Sequence, residues 1–186
     1  MFYITMSSKA SVNGRLFLAA IPDRETAASI FRLAGVLKHA HMFSGKLIAI
    51  DRLHVSLFFV GAMAKAEVRA FRLERVGELS VPPFEVSFDR TASFHGKPGS
   101  RPFVLIGGDG LGRLRSFRKD LASHLRREGL RRVANTNFEP HVTLLYDARS
   151  ADEYPLGEPI AWTIKEIVLI HSLNGYEHVA KWRLVG

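Results

Sequence analysis

Short apolar runs, most of them closed by proline or glycine, alternate along this chain with longer stretches of helical spacing. Arg15 to Ile21 (RLFLAAI) is apolar and stopped by Pro22, which suits a buried strand. Asp23 stands where a helix N-cap is expected. Ala27, Ile30, Phe31, Ala34 and Leu37 follow in steps of three and four, predicting a helix over about 23–40. After Gly45, Lys46 to Ile50 is a short strand candidate and Asp51-Arg52 a turn. Leu53 to Val60 (LHVSLFFV) is a strand ended by Gly61. Ala66, Val68, Phe71 and Leu73 among charges predict a helix over 64–76, stopped by Pro82-Pro83. Phe84 to Phe88 alternates as a half-exposed strand does, Phe94 to Arg101 (FHGKPGSR) is a basic loop, and Phe103 to Ile106 is a strand. Leu111, Leu114, Phe117 or Arg118, Leu121 and Leu125 mark a helix over 111–129, with Gly129 as its stop. His141 to Tyr146 (HVTLLY) is a strand, and a long loop through Pro155 and Pro159 follows. Ile160 to Ile170 and His178 to Leu184 read as an antiparallel hairpin turning near Asn174-Gly175. Strands and helices interleave without a regular βαβ rhythm, so the expected class is α+β.

Length and composition narrow the picture further. The chain's 186 residues suit one compact domain, and 47% hydrophobic with 24% charged residues is ordinary for a globular protein. Residues 1–14 are polar and read as a flexible tail, leaving 15–186 as the domain. Cysteine is absent, which excludes disulfides, thiolate nucleophiles, Fe–S clusters and thiolate zinc sites. No apolar run reaches membrane-spanning length, and the opening lacks the basic and apolar regions of a secretory leader, so a cytoplasmic location is expected. Lys plus Arg is 26 against 18 Asp plus Glu, a formal charge of +8, which favours polyanions such as nucleic acid or a phosphorylated substrate.

One tetrapeptide pattern occurs twice. His54-Val55-Ser56-Leu57 and His141-Val142-Thr143-Leu144 each read His-Val-hydroxyl-Leu on a predicted strand. Alternation puts His54 with Ser56 on one face, and His141 with Thr143 likewise, each pair anchored by apolar residues behind. The repetition suggests a weak internal duplication. A phosphodiester breaking in line needs one group to take a proton from the attacking water and another to give one to the leaving oxygen. Histidine titrates near neutrality, so two imidazoles can divide those tasks. The hydroxyls can hydrogen-bond the non-bridging oxygens. The arrangement calls for no cofactor and no metal. A single strand histidine is more often structural; the pairing carries the functional reading.

These motifs resemble the two-histidine (2H) phosphoesterase superfamily. Arg15-Leu16-Phe17-Leu18-Ala19, Leu53-His54-Val55-Ser56-Leu57 with Phe59-Val60-Gly61, and Phe138-Glu139-Pro140-His141-Val142-Thr143-Leu144 are similar to the LigT/ThpR-like group, called 2′-5′ RNA ligase or RNA 2′,3′-cyclic phosphodiesterase. The resemblance covers about residues 15–186. It implies a bilobal α+β fold with pseudo-duplicated halves, two antiparallel sheets lining a central cleft and helices outside. It implies opening of a 2′,3′-cyclic phosphate to a 2′-phosphomonoester without metal. His54 matches the proton donor to the departing 3′ oxygen, His141 the base that activates water, and Ser56 and Thr143 the phosphate-holding hydroxyls. Reversal, with a 5′-hydroxyl in place of water, would make a 2′-5′ bond. Many LigT-like sequences carry Arg shortly after the second motif; here Leu145-Tyr146-Asp147 follows, and Arg149 is the nearest.

Other residues have two readings each. His95, Lys97 and Arg101 form a phosphate clamp or a solvated basic loop. Arg115, Lys119, Arg126 and Arg127 form an RNA-binding or merely soluble helix face. Alternation places Phe58 on the His54 face for base stacking, and Phe59 and Tyr146 in the core or on the back face. His171, His178 and Tyr176 read as structural. His39-x-His41 has a metal-ligand spacing but no nearby acid. The expected partner is RNA or a nucleotide bearing a cyclic phosphate, with no membrane, no metal and a monomeric state. Two alternatives stay open: the same chemistry on another cyclic phosphate or a 2′-5′ oligonucleotide, and a non-catalytic RNA-binding module.

Overall fold

The computed structural model describes residues 14–63, 80–127, 138–173 and 175–186. The helix expected over 64–76, Gly129, Asn174 and residues 1–13 of the expected tail lie outside them. Gly14 belongs to the first strand rather than to a tail.

Eight strands are seen among the described residues: β1 (Gly14–Ala20), β2 (Val55–Met63), β3 (Phe84–Ser93), β4 (Arg101–Ile106), β5 (Val142–Asp147), β6 (Tyr154–Ile164), β7 (Glu166–Ser172) and β8 (Tyr176–Arg183). They form one sheet in the order β6-β3-β4-β5-β2-β1-β7-β8, and every neighbouring pair is antiparallel. The sequence resemblance implies two sheets. Here two four-stranded halves join edge to edge, and β2 meets β5 through one residue pair, Val55 and Val142. The junction of the halves is thus the middle of each repeated tetrapeptide.

Two helices are described, α1 (Arg24–Ala40) and α2 (Gly112–Arg127). Asp23 caps α1 by accepting from the Thr26 backbone N–H at 2.9 Å. Ala27, Ile30 and Ala34 of α1 and Leu114, Phe117, Leu121 and Leu125 of α2 join one core with Leu16, Leu18, Val55, Leu57, Val142 and Leu144. That core lies on the sheet face opposite the histidines. The other face carries two small clusters, Phe17-Ala19-Val168-Ile170 in one half and Ala92-Val104-Ile106 in the other.

The C-terminal third departs from the sequence reading. Pro155 and Pro159 lie in β6 and not in a loop. β6 is the edge strand beside β3, where a missing N–H is tolerated. The run Ile160 to Ile170 is broken at Lys165 into β6 and β7, which stand in opposite halves of the sheet. β7 and β8 form the expected antiparallel pair. Lys46 to Ile50 supplies only a bridge from Leu47 to Leu145 before a 3₁₀ turn over Ile50–Arg52.

Candidate active site

The two motifs meet at the centre of the sheet. Antiparallel pairing of Val55 with Val142 sets the two motifs side by side, and the His141 charge reaches the His54 ring. Alternation about that pair turns His54, Ser56, His141 and Thr143 to the face opposite Val55 and Val142. Val55 and Val142 are fully buried.

Each motif strand then bulges at the same place. Ala19 pairs with Ser56 but Leu18 with Phe58, so Leu57 is an extra residue. Val104 pairs with Thr143 but Phe103 with Leu145, so Leu144 is extra. A bulge turns two successive side chains toward one face and resets the alternation. Leu57 and Phe58 are both buried, as are Leu144 and Leu145. Phe59 and Tyr146 return to the histidine face, 51% and 49% exposed. The sequence expectation is thereby corrected: Phe58 is a core residue, and Phe59 and Tyr146 flank the site. Arg118 of α2 holds the first bulge, its Nε donating to the Leu57 carbonyl at 3.0 Å. Its guanidinium lies between the rings of Phe58 and Phe138, at 4.4 and 4.3 Å.

Both imidazoles are oriented the same way. His54 Nδ1 is 2.8 Å from the Arg52 carbonyl, and His141 Nδ1 is 2.8 Å from the Glu139 carbonyl. A carbonyl only accepts, so each Nδ1 carries the proton and donates, which leaves Nε2 to accept in the neutral ring. Ser56 Oγ lies 2.9 Å from His54 Nε2. Aromatic rings seat both histidines: Phe17 at 5.1 Å and Tyr176 at 5.4 Å from His54, Phe94 at 5.0 Å from His141. Burial among these rings holds the His54 pKa below the usual histidine value. The bond to the Arg52 carbonyl opposes the shift; the charges of His141, Arg52 and Arg15 add to it.

Further contacts fix the frame. Arg115 pairs with Glu139 at 2.8 Å and donates to the Gly107 and Gly108 carbonyls, tying α2 to the segment that enters the second motif. Asp147, the last residue of β5, accepts from the Arg149 backbone N–H at 2.9 Å, from Gly45 N–H at 2.6 Å and from Ser44 Oγ at 3.2 Å, which lowers its pKa. At position 45 a Cβ would stand 1.9 Å from the Tyr146 carbonyl, so only glycine fits.

The remaining candidates divide. The basic loop begins beside the site, with Phe94 against His141, while His95 and Lys97 are exposed and Arg101 donates to the Ala148 carbonyl. Arg115 is committed to Glu139; Lys119, Arg126 and Arg127 are exposed. His41 packs on Phe43 and Phe103 at 5.4 and 5.6 Å, and His39 is exposed. His171 is buried, and His178 is exposed. Tyr176, read as structural from sequence, lies against His54. Among the described residues no three His, Asp or Glu gather as metal ligands, and no helix is long and apolar enough to cross a membrane. Sequence reasoning missed Phe17, Tyr176, Phe94 and the two carbonyl acceptors. Only the last left a trace, since each lies two residues before its histidine.

The sequence model of the 2′-5′ RNA ligase superfamily matches residues 22–175. This chain belongs to that superfamily. An Archaeoglobus fulgidus protein named RNA 2′,3′-cyclic phosphodiesterase is 29% identical over 131 residues, 70% of this chain and 70% of that one. Crystalline E. coli LigT without ligand superposes with a TM-score of 0.70 at 26% identity, over 95% of this chain and 100% of that chain. A Thermus thermophilus protein superposes at 0.68 with 22% identity, over 92% and 98%. The fold is α+β and LigT-like, and the chain is an enzyme of the two-histidine phosphodiesterase kind.

Proposed function

We propose that this LigT-like enzyme opens 2′,3′-cyclic phosphate ends of RNA to 2′-phosphomonoesters, with His54 and His141 as the proton-transfer pair. The observation that carries the reading is that one bridged pair, Val55 with Val142, joins the two motifs, with both histidine Nδ1 atoms committed to carbonyls. That leaves Nε2 as the proton-transfer atom of each ring; the Ser56 hydroxyl, 2.9 Å from His54 Nε2, turns to a phosphate oxygen when substrate binds.

His141 Nε2 accepts a proton from water as its oxygen bonds to phosphorus. The bond from phosphorus to O3′ breaks, and protonated His54 gives its Nε2 proton to that oxygen. Atoms and charge balance without an added metal. Each proton transfer contributes about 10²–10⁴ in rate. Ser56 and Thr143 donate to non-bridging oxygens and fix the phosphorus between the rings. With a 5′-hydroxyl replacing water, the reverse sequence forms a 2′-5′ bond; hydrolysis dominates where water is in excess. The expected partner is RNA, which the +8 charge suits.

The test is turnover of a short RNA ending in 2′,3′-cyclic phosphate, in EDTA, with products assigned by phosphorus NMR. A 2′-phosphate product is expected. No turnover, turnover only with added metal, or a 3′-phosphate product overturns the reading. A free 2′,3′-cyclic nucleotide run alongside separates an RNA-end enzyme from one acting on small cyclic phosphates.

A further inference from the structure

A pentacoordinate phosphorus carries more negative charge than the cyclic diester it comes from, and the hydroxyls of Ser56 and Thr143 are neutral donors. Tyr146 stands on the histidine face beyond the second motif and brings no charge. The arginines around the second motif are committed elsewhere. Arg149 Nη1 donates to the Met42 carbonyl and Arg101 Nη1 to the Ala148 carbonyl, both at 3.3 Å. Arg115 is paired with Glu139.

The first half differs. Arg15 and Arg52 are exposed, and neither has a carboxylate partner among the described residues. Each guanidinium is held on a ring of the site. Arg52 lies 4.5 Å over Tyr176, which contacts His54, and Arg15 lies 5.4 Å over Phe59, the next residue after Ser56 on that face. Stacking limits the freedom of both side chains and leaves their N–H groups turned to no acceptor among the described residues. The charges of both also reach the His54 ring.

We propose that Arg15 and Arg52 form a phosphate clamp on the first-motif side of the cleft, supplying the cationic charge that the second motif lacks. The clamp rests on the phosphodiesterase reading above and assigns it an asymmetry: hydroxyls and imidazoles come from both halves, positive charge from one. Charge-assisted donors aimed at developing charge are worth about 10²-fold in rate.

The test separates the clamp from the reaction by using inorganic phosphate as the probe. Histidine ring resonances of the full chain are followed by proton–nitrogen NMR as phosphate is added. Wild type is expected to show saturable shifts at His54 and His141. Arg15→Ala and Arg52→Ala are each expected to weaken phosphate affinity about 10-fold, the value of one charge-assisted contact. Arg149→Gln leaves it unchanged, and Arg52→Lys recovers part of the loss. Against 2′,3′-cyclic AMP each alanine variant should lower kcat/KM about 10²-fold. Unchanged affinity in the Arg15→Ala/Arg52→Ala double variant overturns the clamp. So does the absence of a phosphate-dependent shift at His54 in wild type, or a loss confined to Arg149→Gln. Wild type that binds phosphate through both arginines yet turns over no cyclic substrate upholds the clamp and removes the reaction.

Discussion

His54 and His141 occupy equivalent positions but unequal surroundings. His54 sits between Phe17 and Tyr176 with Arg15 and Arg52 nearby, and its proton affinity is depressed. A proton donor must be charged to act, so the kcat/KM profile should lose activity on its alkaline side at a pH below the ordinary histidine value. A bound phosphate anion favours the imidazolium, so the matching limb of kcat should lie at higher pH. Coincident limbs in the two profiles, at or above the usual histidine range, would contradict the donor role of His54. His54→Ala and His141→Ala should each lower kcat/KM by at least about 10². Near-normal rates in either variant refute that residue's part.

At the scale of elements, the paired bulges decide which side chains enter the cleft. Strict alternation, applied to LHVSLFFV, sends Phe58 to the histidine face. One inserted residue sends Phe59 there instead. The same holds for Leu145 and Tyr146. Nothing local marks a bulge in those letters, because Leu and Phe suit either face of a strand. Arg118 shows what the insertion requires: the Leu57 carbonyl needs a donor, and α2 provides one. Arg118→Met keeps much of the apolar stem but removes that charged donor from the carbonyl, at a cost of about 1–3 kcal/mol. Denaturant unfolding should show the loss, and kcat should fall with it because Ser56 adjoins the bulge. A fully stable Arg118→Met protein would remove the bulge-holding role. The misread segment from Pro155 to Ile170 has the same kind of cause. Prolines suggest a loop unless the strand is an edge, and a continuous apolar run hides a change of partner at Lys165.

Over the whole molecule, two groups tie stability to pH. His54 has a lowered pKa in the fold, so below the ordinary histidine range the unfolded chain takes up a proton that the folded one resists. Its contribution is full above that range and shrinks as pH falls through it. Asp147 is also lowered, by the Arg149, Gly45 and Ser44 donors; its contribution is full above the usual carboxylate range and is lost as pH falls toward the folded value. Asp147→Asn should therefore lower Tm at neutral pH, with the gap to wild type closing in acid. A gap that stays constant with pH would deny the carboxylate that role. The +8 charge acts at this scale too. KM for an RNA substrate should rise steeply with salt while that for a cyclic mononucleotide moves little, because a longer strand releases more counterions. Equal salt slopes would mean that the basic surface does not engage RNA.

The letters by themselves settled the class of fold, the N-cap and span of α1, most strand centres and the two His-x-hydroxyl motifs. These follow from short-range periodicity and side-chain chemistry, which a linear chain displays directly. Only the folded sheet decided that the motifs share one bridged pair at the seam of the halves. It also placed Phe17 and Tyr176 against His54, and left Arg15 and Arg52 without carboxylate partners among the described residues. Those outcomes depend on register and on contacts between strands far apart in sequence, and a one-residue shift in pairing reverses the face of every side chain beyond it.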